Sequence, residues 1–177
     1  MSKFKKAIAV FAASAAMMGA QVASASTYSP TGTWDFGGSA ALGTVLVQKG
    51  SGPLLACVGT ANGFTASTNS LDGPTSISIT AGDAGCVTIF IQSSNPHLVD
   101  KPNGDGLGKQ YIIKNVYVNT TITPGDCVGD IETTLSQDAG GPYLDVNATL
   151  APGTPGTGAC TIVGKLYLAS PAGGNIT

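Results

Sequence analysis

The chain has 177 residues, of which only 10% are charged: eight are basic, all of them lysine, and ten are acidic, with one histidine and no arginine. Three of the lysines stand at positions 3, 5 and 6 and no basic cluster follows, so the positive footprint that nucleic acid requires is missing. Charge is about half the usual fraction for a globular protein, and Thr, Ser, Gly and Ala take its place.

In chain order, the first feature is Lys3, Lys5 and Lys6, then an apolar run from Ala7 to Ala20, then the small-residue sequence Ala23-Ser24-Ala25. These are the three parts of a secretory signal, with cleavage expected after Ala25. An apolar run of 14 residues falls short of the roughly 20 needed to cross a bilayer. No membrane span is expected, and no Cys follows the cleavage point to carry a lipid. The expected division is residues 1–25 as signal and residues 26–177 as one domain. That domain keeps five lysines against ten acidic residues, a net charge of −5. Its destination is outside the cytoplasm, extracellular or periplasmic.

Beyond Ala25 the apolar residues alternate in short β-branched runs separated by Gly, Pro, Asn and Asp, which predicts an almost entirely β protein. Strands are expected at Thr31–Phe36 and Gly43–Gln48, the second alternating Val45 and Val47 against Thr44 and Leu46. Leu54–Thr60 follows, then Thr75–Thr80, whose Ser76 and Ser78 are expected to face water. Cys86–Gln92 reads as a strand buried on both sides. Asn95–Lys109, with Pro96, Pro102 and several turn residues, reads as a long exposed loop. Strands resume at Tyr111–Asn119, around Ile131–Leu135, at Tyr143–Leu150 and at Cys160–Leu168, with a Gly/Pro/Thr loop over 151–158. About nine short strands in one domain predict a single β-sandwich or jelly-roll-like fold.

The four cysteines, Cys57, Cys86, Cys127 and Cys160, are an even set in an exported chain, and disulfides are the expectation. No two are closer than about thirty positions, whereas zinc knuckles need gaps of about two residues. Four cysteines allow three pairings. A partial repeat chooses among them: Cys57-Val58-Gly59 recurs as Cys127-Val128-Gly129, and each copy is followed about thirty residues later by a second Cys leading into a β-branched run. The echo predicts bridges from Cys57 to Cys86 and from Cys127 to Cys160.

Residues able to carry chemistry are few. His97 lies in the turn-rich Ser94–Leu98 and has no Gly-x-Ser-x-Gly elbow to serve. Asp126, Asp130 and Glu132 could form the carboxylate pair of a hydrolase, but their position around Cys127 reads as an ordinary acidic turn. Asp100, Asn103 and Asp105 offer the hard oxygens that calcium prefers, in a spacing that does not fit an EF-hand. Asn119-Thr120-Thr121, Asn147-Ala148-Thr149 and Asn175-Ile176-Thr177 match the glycosylation triplet, as a Thr-rich chain does by chance. No catalytic residue, cofactor or metal is expected. Tyr111, Tyr117, Tyr143 and Tyr167 on strands are interface candidates where they point outward, which favours self-association or contact with hydrophobic or matrix surfaces.

The mature start Ser26-Thr27-Tyr28-Ser29-Pro30, the first Cys after two strands, and the closing Cys160-Thr161-Ile162-Val163-Gly164-Lys165-Leu166-Tyr167-Leu168 together resemble the small exported bacterial activators of alkane oxidation, the Pra proteins. The Leu-Pro-Trp type segment of that family corresponds here to Gln92–Leu98, without Trp. Members are linked to hydrocarbon uptake and to the biofilm matrix, so the resemblance implies a surface or matrix role and supplies no catalytic residues. A second resemblance is to fimbrial subunits, which share the size, composition and sandwich. It implies assembly by strand exchange, with Ser26–Ala41 as the donor.

Overall fold

The computed structural model of the protein describes residues 27–93, 98–100, 110–120 and 124–177. The expected signal at residues 1–25 and most of the loop expected over Asn95–Lys109, His97 included, lie outside the described residues.

Thirteen strands are described: β1 Tyr28–Ser29, β2 Gly32–Gly37, β3 Gly43–Lys49, β4 Leu55–Ala66, β5 Leu71–Asp72, β6 Ser76–Gly82, β7 Ile89–Ser93, β8 Leu98–Asp100, β9 Gln110–Thr120, β10 Asp126–Asp138, β11 Gly141–Pro152, β12 Cys160–Ser170 and β13 Asn175–Ile176. Only a 3-10 turn, Cys86–Thr88, interrupts the β structure among the described residues. β2 and β3 lie end to end, both between β4 and β12. Together they make one long stave broken at 38–42. The break depends on glycine: Gly37 has φ +80°, and a Cβ there would collide with the carbonyl oxygen of Gly59. β7 and β8 likewise lie end to end along β9.

Counted this way, eight antiparallel staves follow one another round the molecule in chain order, and β12 returns to pair with the first. The arrangement is barrel-like, and its opposite walls face each other across one core as the layers of a sandwich do. β6 packs beside β7, but no ladder joins them among the described residues, so the wall has one seam.

The strands alternate as their sequences predict, apolar inward and polar outward. β11 buries Leu144, Val146, Ala148 and Leu150 and exposes Asp145, Asn147 and Thr149. One end of the barrel is filled by aromatics. Tyr28 meets Trp34 edge-on at 5.7 Å, and Phe36 meets Phe64 edge-on at 5.2 Å, geometries that suit the ring quadrupoles. The Trp34 indole N–H donates to the Pro30 carbonyl at 2.8 Å. The β1–β13 ribbon covers this end and ties the two ends of the described chain together, with Gln137 accepting from the Ile176 backbone N–H.

The opposite end carries both disulfides, Cys57–Cys86 and Cys127–Cys160, the pairing that the Cys-Val-Gly echo predicts. Both Cys-Val-Gly copies lie on long strands beside a change of register, at Cys57/Gly59 on β4 and at Gly129/Ile131 on β10. Lys49, buried at the inward end of the Val45-Val47-Lys49 series, donates its ammonium to the carbonyls of Pro124 and Gly125 there.

Three expectations are corrected. Cys86–Gln92 is not a strand buried on both sides: its first three residues form the 3-10 turn, and Val87 is 76% exposed. Backbone bonds from Cys86 to Asp83 and from Thr88 to Gly85, with the Thr88 hydroxyl also donating to Gly85, hold the turn. The segment Asn95–Lys109 is not loop throughout, because Leu98–Asp100 pairs with Ile113–Tyr111 as β8. Finally, Ser78 does not simply face water; it is half-buried, with its hydroxyl bonded to that of Thr60, whereas Ser76 is exposed.

Candidate binding cavity

Period-2 alternation points Val45, Ala61, Ile79, Ile113, Ile131, Leu144, Val146, Ile162 and Leu166 at the barrel axis. Between the aromatic end and the disulfide end these side chains leave a cavity of about 40 Å³, to which all eight staves contribute. Aliphatic side chains dominate its wall. The polar exception among its fully buried lining is Thr133, the inward residue between Ile131 and Leu135 on β10. Thr133 is 2% exposed, and its Oγ1 has no hydrogen-bond partner among the described residues. A buried hydroxyl without a partner costs about 1–3 kcal/mol, so its position calls for an explanation.

The lining is buried on most sides. Its partly exposed members are Thr60 on β4, Ile77 and Ser78 on β6, and Ile91 on β7. Ile77, Ser78 and Ile91 flank the β6/β7 seam, with Thr60 one ladder away opposite Ser78, and that seam is the cavity's approach to the surface. The bridge from Cys57 to Cys86 ties β4 to the turn that leads from β6 into β7, and so holds one end of the seam.

The outer wall carries a second cluster near the β10–β11 hairpin. Tyr143 and Tyr167 are cross-strand partners with ring centroids 5.2 Å apart, and the Lys165 ammonium lies 4.0 Å from the Tyr143 ring centre. Tyr167 donates its hydroxyl to Asp138 at 2.9 Å, and the Gly140 backbone N–H also donates to Asp138 at 2.8 Å. The Gly140 N–H, with the Tyr167 hydroxyl and Lys165, holds the Asp138 carboxyl below its ordinary range. The bond to the carboxylate raises the Tyr167 phenol above its ordinary value.

The carboxylates considered for hydrolysis do not sit in a turn. All three are on β10. Asp130 is paired with Lys114 at 2.6 Å and accepts the Asn115 backbone N–H, Asp126 accepts the Thr154 hydroxyl at 3.3 Å, and Glu132 is exposed on the outer wall. None of the three lines the interior cavity. Of the calcium candidates, Asp100 has its backbone on β8 opposite Tyr111, while Asn103 and Asp105 lie outside the described residues. Among the described residues no three His, Cys, Asp or Glu side chains converge to hold a metal ion. Of the tyrosines, Tyr143 and Tyr167 form the outer pair and Tyr117 is half-buried on β9. Sequence reasoning passed over Thr133 and Lys49. The signal was present in both cases: each occupies an inward position in a strict alternation of aliphatic residues.

These features define the class: an all-β, barrel-like domain stapled by two disulfides around an aliphatic interior. The family of alkane oxidation protein activators, PraA/PraB-like, matches residues 1–173. The chain belongs to that family. No curated protein and no solved structure matches it. Two disulfides fit an extracellular or periplasmic protein. No helix among the described residues is long and apolar enough to cross a membrane.

Proposed function

We propose that this protein is exported by cleavage of residues 1–25 and acts, without catalysis, as a structural and interfacial protein of the bacterial cell surface or biofilm matrix. Its contribution to alkane oxidation is contact with hydrophobic material during hydrocarbon uptake. The observation that carries this reading is on the outer wall. Leu46 and Val163 are cross-strand partners, 41% and 43% exposed, and Leu54 just before β4 is 56% exposed. Aliphatic side chains thus stand outward beside the uncharged Gln48, Asn147 and Thr161, a patch where charge does little to oppose adsorption to an apolar phase. Family membership supports the link to alkane oxidation.

Assembly by strand exchange is the competing reading. Its proposed donor includes Gly32–Gly37, which pairs with β4 on one side and β12 on the other within its own chain. A donor already held on both edges favours self-association through side chains over exchange of that segment.

The test combines fractionation with an interface measurement. The expected result is protein beginning at Ser26 in the extracellular or surface fraction, adsorbing to hexadecane droplets, with adsorption reduced in the Leu46→Asn/Val163→Asn variant. Protein retained in the cytoplasm with residues 1–25 intact, or droplets that leave the protein in the aqueous phase, would overturn the proposal. Size exclusion and electron microscopy of the mature protein separate the two readings, since fibres abolished by deleting the segment before Gly32 would favour strand exchange.

A further inference from the structure

We propose that the interior cavity is a binding site for the hydroxyl-bearing end of an unbranched aliphatic chain, a primary alcohol, entering through the β6/β7 seam and hydrogen-bonding to Thr133. The inference rests on the interfacial reading above and adds to it a ligand class and a site.

Three observations converge. First, the lining is aliphatic, with Ile131, Leu144 and Ile162 from the adjacent staves β10, β11 and β12 and Ala61 and Ile79 from β4 and β6, so an alkyl chain is the ligand chemistry it solvates. Second, the Thr133 hydroxyl is buried, without a partner among the described residues, and part of that lining. A hydrocarbon would leave it unpaired, whereas a hydroxyl can both donate to it and accept from it. A site with an unpaired polar group selects for the ligand that pairs it. Third, three of the four partly exposed lining residues, Ile77, Ser78 and Ile91, flank the only place in the described wall where neighbouring staves share no ladder, so entry there crosses no ladder among the described residues.

Size sets the mode of binding. A volume of about 40 Å³ holds about three water-sized groups, enough for the end of a chain and not for a whole one. The carbinol end therefore lies inside, and the rest of the chain runs out between Ile77 and Ile91. An alcohol is also the first product of oxidising an alkane, so the site is suited to the product side of that reaction.

Methyl-resolved NMR of the mature protein titrated with 1-hexanol tests the proposal. Saturable shifts are expected at the inward methyls of Ile131, Leu144 and Ile162, with contacts from the carbinol protons to Thr133. Thr133→Val keeps the shape and removes the hydroxyl. It should weaken 1-hexanol about fivefold, the fold-change of one neutral hydrogen bond, and leave hexane binding undiminished. Ala61→Leu should fill the cavity and abolish both; where it does not fold, the isosteric Thr133→Val still decides. Shifts absent, shifts confined to Leu46 and Val163, or equal alcohol affinity in Thr133→Val would overturn the proposal. Hexadecane-droplet adsorption, read in parallel, keeps the two ideas apart. Adsorption without alcohol binding removes the cavity site and leaves the interfacial role, and alcohol binding without adsorption does the reverse.

Discussion

Cys127 and Cys160 sit on β10 and β12, the two strands that flank β11, and their bond reaches across it with Cα atoms 6.0 Å apart. In a flat sheet, strands two places apart are separated by about 10 Å. The bridge is therefore possible only because the wall curls sharply at this end, and it holds that curl. Removing it by Cys127→Ala/Cys160→Ala should lower stability by about 3 to 4 kcal/mol, as the chain-entropy model gives for a sequence separation of 33. The Cys57–Cys86 bridge, with a separation of 29, should be worth about the same. Urea denaturation of each double variant measures both, and a change under 1 kcal/mol in either would contradict the entropic account.

Thr133→Val should stabilise the unliganded protein by about 1 kcal/mol, because it removes a buried, unpaired hydroxyl without changing side-chain volume. The reading is the shift in denaturation midpoint at unchanged slope. A loss of stability would mean that the hydroxyl has an internal partner in solution.

Lys49 places an ammonium among buried groups at the disulfide end and donates to the Pro124 and Gly125 carbonyls. Lys49→Met keeps most of the aliphatic stem and leaves those carbonyls unpaired, so it should cost about 1–3 kcal/mol. Equal stability of the two proteins would show that water replaces the ammonium without loss.

Trp34 is the single tryptophan of the chain and is fully buried between Tyr28 and Phe36. Its emission should be blue-shifted in the native protein and move to longer wavelength as the aromatic end opens. Trp34→Ala should cost about 3–5 kcal/mol, while Trp34→Phe, which loses the bond to Pro30 and some volume, should cost less.

The outer tyrosine pair predicts a pH effect. The bond to Asp138 raises the Tyr167 phenol above its ordinary value of 10.0. A raised folded value means that its contribution to stability is fully present below the unfolded value and is lost as pH rises through the folded one. Ultraviolet titration should show Tyr167 ionising late, and Asp138→Asn should bring it back toward the ordinary range. Asp138 works in the opposite sense: the Gly140 N–H first, then Tyr167 and Lys165, lower its value, so its contribution is lost as pH falls through that lowered value. An unchanged tyrosine titration in Asp138→Asn would refute the coupling.

The strand positions were legible in the sequence because period-2 alternation states burial directly. Val45 and Val47 against Thr44 and Leu46 read as one inward and one outward row, and that is how β3 sits. Alternation was less reliable where a local bond competes with it, as at Cys86–Thr88, where the turn is set by the bridge and by Thr88. The cavity was not legible. Thr133 could be read as an inward hydroxyl, but whether a partner waits for it depends on residues from seven other staves.

The amino-acid sequence by itself determined the β class, the approximate strand limits and the pairing of Cys57 with Cys86 and Cys127 with Cys160, because these follow from local periodicity and from a repeated triplet. Only the tertiary structure decided that the strands run in chain order round one barrel-like wall, that β2 and β3 share one stave, and that an unpaired hydroxyl faces an aliphatic cavity beside an unladdered seam. Those are relations among residues far apart in the chain. Their energies depend on which backbone edges and side chains meet, and no local pattern encodes that.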